Sequence, residues 1–117
     1  MKVEFVVTDD FVKSIKKIRK KYKSISEDLE LFKEEFCKNP NVGTDLGKGY
    51  RKIRMQIKSK GKGKRGGARI ITYDLYIKTI EQERGILLVD IYDKSVSENM
   101  SEEVYTFITK NFLNNGQ

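Results

Sequence analysis

The chain reads as an α+β domain, an antiparallel-rich four-stranded sheet packed against an N-terminal helical hairpin, with a C-terminal helix. Three observations predict this. Apolar residues recur at helical spacing in two adjacent segments near the start and in one near the end. The second half carries runs rich in β-branched and aromatic residues. Glycine-rich stretches separate those runs as turns do. The expected order is β, α, α, β, β, β, α. At 117 residues the chain has room for one modest core. Residues 1–113 are therefore expected to form a single domain, and NNGQ, 114–117, a disordered tail.

Val3 to Val7 is a short strand, followed by Thr8, Asp9 and Asp10 as helix-capping residues. Phe11, Ile15, Ile18 and Tyr22 then share a helical face whose other sides are lysine-rich. Ser24 and Glu27 have capping-box spacing, and Ile25, Leu29, Phe32 and Phe36 continue a stripe that Asn39 and Pro40 end. The acids Glu27, Asp28, Glu30, Glu34 and Glu35 are placed to balance the lysines of the first helix. From Tyr50 to Lys58, Ile53, Met55 and Ile57 alternate with Lys52, Arg54 and Gln56, which makes a half-buried strand. Ser59 to Gly67 is a flexible loop, and Ala68 to Ile77 resumes a strand with Arg69, Ile71 and Tyr73 on one face. Ile86 to Tyr92 is almost continuously apolar, as in a central strand covered on both sides. Asn99 and Glu102 cap a last helix whose apolar face is Met100, Val104, Phe107, Ile108 and Phe112.

Composition narrows the function classes. No run approaches a transmembrane span, and the start MKVEFVVTDD turns acidic too soon for a signal peptide, so a cytoplasmic location with no membrane partner is expected. Cys37 is alone and is expected in the core, and with no histidine most metal sites fall away; no metal and no cofactor are expected. The net charge is +7, and its distribution carries the information. From Leu46 to Tyr73 there are ten Lys or Arg and no Asp or Glu, whereas the remainder has 14 basic and 17 acidic residues. Such a block attracts phosphate backbones and releases counterions on binding.

Gly61 to Gly66 spells GxGxxG but opens into a strand rather than a helix, and Gly67 and Ala68 stand where a phosphate loop needs Lys and Ser or Thr. No nucleotide fold is expected from it. What the tract offers is cations: Lys58, Lys60, Lys62, Lys64 and Arg65, bordered by Lys52, Arg54 and Arg69, placed to converge on phosphate, although acidic proteins and membrane surfaces can also use such charge. Tyr92 is a candidate for stacking on a base or for packing in the core. Asp90 and Asp93 are read as partners that fix an arginine rather than as a catalytic base, and not as a magnesium site.

The runs YRKIRMQIKSKGKGKRGGARIITY, Tyr50 to Tyr73, and GILLVDIYDKSVSENMS, Gly85 to Ser101, resemble the RelE/ParE superfamily of toxin–antitoxin toxins, nearest its HigB-like branch. The resemblance implies a small RelE-like fold, cleavage of messenger RNA on the ribosome without a metal, and neutralisation by a cognate antitoxin protein. It also implies contact with ribosomal RNA. By position the family's basic active-site residues fall on Lys52, Arg54, Arg69 and Lys94. A tyrosine that RelE-like members carry near the start of the last helix is replaced by Met100, so that either Tyr92 substitutes or the stacking role is absent.

The expected function is thus a metal-independent endoribonuclease that inhibits translation. Lys52 or Lys94 would be the base, and Arg54 and Arg69 would stabilise the phosphate. Two rivals share the features: a ParE-like inhibitor of DNA gyrase, and an RNA- or ribosome-binding module that cuts nothing.

Overall fold

The computed structural model describes residues 2–116. Five strands form one sheet in the order β1-β5-β4-β3-β2. β1, Lys2–Val7, runs parallel to β5, Glu83–Asp93, with Phe5 opposite Ile86. β5 and β4, Ala68–Lys78, form a long antiparallel hairpin, and β3, Tyr50–Met55, pairs antiparallel with β4. The expected count of four strands omitted β2, Thr44–Gly47, a four-residue edge strand paired with β3. TDLG has neither the length nor the apolar alternation that marks a strand; pairing with β3 makes it one.

Thr8 ends β1 and starts α1, Asp9–Lys21. Its hydroxyl accepts from the Phe11 N–H at 2.9 Å and donates to the Val89 carbonyl at 2.7 Å, so the cap also ties the helix to β5. Phe11, Ile15 and Ile18 point into the sheet, each burial worth about 1.5–3 kcal/mol. α2, Ile25–Lys38, packs beside it through Ile25, Phe32 and Phe36. Both helices cover one sheet face, meeting Ile53, Met55, Ile70, Ile86 and Leu88.

On the other face α3, Glu102–Asn115, packs Tyr105 and Ile108 against Tyr50, Ile71, Leu87 and Val89. Leu87 and Leu88 therefore belong to different cores, and every residue from Arg84 to Asp93 is buried. Helices on both sides and strands on both edges make β5 the apolar run it is. Among the described residues no helix is long and apolar enough to cross a membrane.

Several expectations need correction. Ser101, not Asn99, caps α3, accepting from Val104 N–H at 3.3 Å. That shifts the buried stripe to Tyr105, Ile108 and Thr109, and leaves Val104 46% and Phe107 64% exposed. α3 continues to Asn115 and closes on Gly116 at φ 70°, so the stretch read as tail begins as helix; Gln117 lies outside the described residues. Cys37 is exposed on α2, one position past the buried Phe36. The α2 acids form no ion pair with α1 among the described residues. Asp28 is instead buried and turned toward the loop after β3.

Candidate nucleic-acid interface

The stretch between β3 and β4 is not the free loop its glycines and lysines suggest. It begins with a short 3-10 turn, Lys58–Lys60, pinned to the start of α2. Asp28 Oδ2 accepts from the Ser24 hydroxyl at 2.7 Å and from Lys58 N–H at 3.1 Å. The Ser24 hydroxyl in turn accepts from Ser59 N–H at 2.9 Å. Lys60 reaches across to Asp93 at the end of β5, and Lys94 N–H donates to the Gly67 carbonyl at 3.0 Å.

Arg69 completes the anchorage. Its Nη1 donates to the carbonyls of Lys64 at 3.2 Å and Ala68 at 3.1 Å, and its Nη2 to that of Arg65 at 3.0 Å. A planar guanidinium can span carbonyls in this way where a lysine cannot. Burial first, then the facing charge of Arg54, lowers its pKa, although an arginine stays cationic at ordinary pH.

With the loop fixed, a pocket of about 500 Å³ opens on the α3 side of β3 and β4. Lys52 and Arg54 reach it from β3, Arg69 from β4, Lys64 from the loop and Lys94 from beyond β5. Arg54 and Arg69 are direct cross-strand partners. Like charges placed opposite one another on a sheet are destabilising, and neither arginine has an ion pair among the described residues to relieve it. Thr44 and Glu98 also line the pocket, and sequence reasoning missed both. β2 carries Thr44, and that strand left no signal; Glu98 lies in an irregular stretch beside Lys94, whose Nζ donates to the Glu98 carbonyl at 3.4 Å.

Four of the five expected catalytic residues, Lys52, Arg54, Arg69 and Lys94, thus line one cavity. Tyr92 does not. It lies opposite Arg69 on β5, 8% exposed in the α3-side core, and its hydroxyl is buried without a hydrogen-bond partner. Burial, partly offset by the Arg69 charge, raises that hydroxyl's pKa. The ring lines a separate cavity with Ser14, Ile18, Tyr22 and Val96, apart from the cationic pocket.

The expected RNA-binding set divides as well. Lys60 is spent on Asp93 at 2.6 Å, its side chain 5% exposed. Lys64 pairs with Glu35 at 3.0 Å on the surface, where an incoming phosphate can compete for it. Lys58, Lys62 and Arg65 are exposed and have no ion pair among the described residues. Sequence reveals charge but not the partner of a charge, and Asp93 lies 33 residues from Lys60. No protein-family model matches the chain.

Proposed function

We propose that this protein is a RelE/ParE-type toxin of the HigB-like branch, a metal-independent endoribonuclease that cuts messenger RNA and so stops translation. The observation that carries the reading is the cross-strand pair Arg54 and Arg69 in one pocket with Lys52, Lys64 and Lys94. A cluster whose charges repel one another in the free protein is suited to an anion with several negative oxygens.

RNA supplies its own nucleophile. A base removes the 2′-hydroxyl proton, the 2′-oxygen attacks the adjacent phosphorus, and the 5′-oxygen leaves with a proton, giving a 2′,3′-cyclic phosphate and a 5′-hydroxyl. In this scheme neutral Lys52, or Lys94, is the base, a second lysine or a water gives the leaving 5′-oxygen its proton, and Arg54 with Arg69 stabilises the charge gained by the phosphate. Lys58, Lys62 and Arg65 hold the flanking backbone, and an antitoxin would act by covering the pocket.

The test is cleavage of a defined message on programmed ribosomes, with free RNA in EDTA alongside, comparing wild type with Arg54→Ala. Arg54 is exposed, so its removal does not disturb the core. Cleavage lost by two orders of magnitude or more in the variant supports the reading. Ribosome binding without any cleavage would favour the non-catalytic module, and arrest of DNA supercoiling with message intact would favour the gyrase inhibitor.

A further inference from the structure

β3 carries Lys52 into the cationic pocket, and two residues back Tyr50 lines a second groove, of about 540 Å³, between α3 and the sheet. Alternate residues of a strand share a face and stand ~7 Å apart. The two cavities are therefore neighbours along one strand. Tyr50 and Tyr73 are cross-strand partners with ring centroids 4.8 Å apart, and Tyr50 is held from behind by Tyr105 at 4.7 Å. Tyr50 is buried and Tyr73 half-buried, so a rigid ring supports one that is partly open. Glu102 and Glu103, exposed in the first turn of α3, line the same groove and make no ion pair among the described residues.

We propose that this groove is a nucleobase subsite selective for guanine, taking a base of the same strand whose phosphate lies in the cationic pocket. It rests on the RNA reading above. Aromatic rings give a base a stacking surface whatever its identity. The selectivity comes from the carboxylates, which accept hydrogen bonds and donate none. Guanine presents N1–H and N2–H side by side to one carboxylate. Uracil presents one N–H between two carbonyls, and adenine and cytosine an amino group beside a ring acceptor. Only guanine meets an acceptor pair without repulsion. Lys48 and Lys110, also at the groove, keep the acids from repelling the backbone.

The chain has six tyrosines and no tryptophan, so tyrosine fluorescence reports stacking directly. Four-nucleotide RNAs, 2′-O-methylated so that they cannot be cut and differing in one base, are titrated into wild type, Tyr73→Leu, the double variant Glu102→Gln/Glu103→Gln, and Arg54→Ala. The guanine oligonucleotide is expected to bind about tenfold tighter than the other three. The double variant should level all four, Tyr73→Leu should weaken each about tenfold, and Arg54→Ala should weaken all without changing their order. Circular dichroism checks the fold; if Tyr73→Leu loses it, the double variant decides. Equal binding of all four by wild type, or a guanine preference that survives the double variant, overturns the subsite. Weakening by Arg54→Ala would then show that the RNA reading still stands. No binding by any oligonucleotide overturns both.

Discussion

Lys60 Nζ lies 2.6 Å from Asp93 Oδ1, and the two side chains are only 5% and 6% exposed. The same oxygen accepts from Ser95 N–H at 2.9 Å, and the ammonium sits 5.6 Å from the centre of the Tyr22 ring. One lysine thus fastens the cation-bearing loop to the end of β5 and to the turn between α1 and α2, and the pocket walls keep their spacing because of it.

Lys60→Ala leaves the Asp93 carboxylate buried without its cation, at a cost of about 3–5 kcal/mol, against a total of about 5–15 kcal/mol for a domain of this kind. Urea denaturation should show that loss. The paired replacement Lys60→Met with Asp93→Leu removes both charges and is expected to recover most of it. A lysine variant with the wild-type midpoint would mean that the ion pair contributes nothing.

The carboxyls of Asp93 and Asp90 are shifted in opposite directions from their ordinary value. Burial alone would raise the Asp93 carboxyl, but hydrogen bonds from Lys60 and Ser95 N–H, with the charges of Lys60 and Lys21, hold it below its ordinary value. It therefore adds stability above the unfolded aspartate value of about 4, and this is lost as pH falls through the depressed folded value. Asp90 is raised by burial and by the charge of Asp10, against hydrogen bonds from Ser14 and Ile91 N–H. Its contribution favours folding below about pH 4 and is lost as pH rises through the raised folded value. Stability measured against pH should lose part of its acid limb in Asp93→Asn. In Asp90→Asn the decline above about pH 4 should flatten instead.

Gly67 stands where the loop returns to the sheet beneath β3. A Cβ there would come within 2.2 Å of the Met55 carbonyl oxygen and 3.0 Å of Ile57 N, both backbone atoms that cannot swing aside. Gly67→Ala should cost about 3 kcal/mol or more. Gly61, with open space at its Cβ and φ of 73°, should cost about 1 kcal/mol as alanine, from backbone strain alone. Thermal melts of the two variants should rank them in that order.

The contrast between these glycines shows which parts of the fold were legible. Alternation marked β3 and the apolar run marked β5, because burial on one face or both leaves a period in the sequence. The cationic block marked the pocket, because Lys52, Arg54 and Arg69 lie on paired strands whose facing positions follow from the hairpin. Contacts between distant segments leave no such trace. β2 exists through its pairing with β3, Lys60 is neutralised from β5, and Asp28 turns inward to hold the 3-10 turn. The face of α3 was misjudged by one step, because Tyr105 and Thr109 are polar enough to be read as outward while Phe107 is not.

Among the described residues Glu98 is the one acid lining the cationic pocket. If phosphate is the ligand, this carboxylate opposes it, and Glu98→Gln should tighten RNA binding about two- to threefold at low salt, less at high salt. Filter binding across a salt series measures this. Weaker binding by the variant would mean that the pocket takes a ligand with donors or positive charge, against the RNA reading.

Arg54 and Arg69 look equivalent in sequence, and the same conservative change should separate them. Arg69 holds three loop carbonyls with its guanidinium, whereas Arg54 is exposed and has no hydrogen-bond partner within the protein among the described residues. Lysine keeps the charge of either residue but loses the planar fork. At position 69 it gives up the guanidinium bonds to the loop, leaving the Lys64 carbonyl only its 3.4 Å bond from Gly67 N–H, at about 1–3 kcal/mol, and frees the loop. Arg69→Lys should therefore lower the melting temperature, speed amide exchange at residues 64–68, and lose cleavage because Lys64 and Lys94 no longer converge. Arg54→Lys should leave the melting temperature and exchange unchanged and lose cleavage only about tenfold, since a point charge still faces the phosphate. Equal loss of cleavage with no change of exchange at either position would make both arginines simple phosphate contacts and remove the loop from the mechanism.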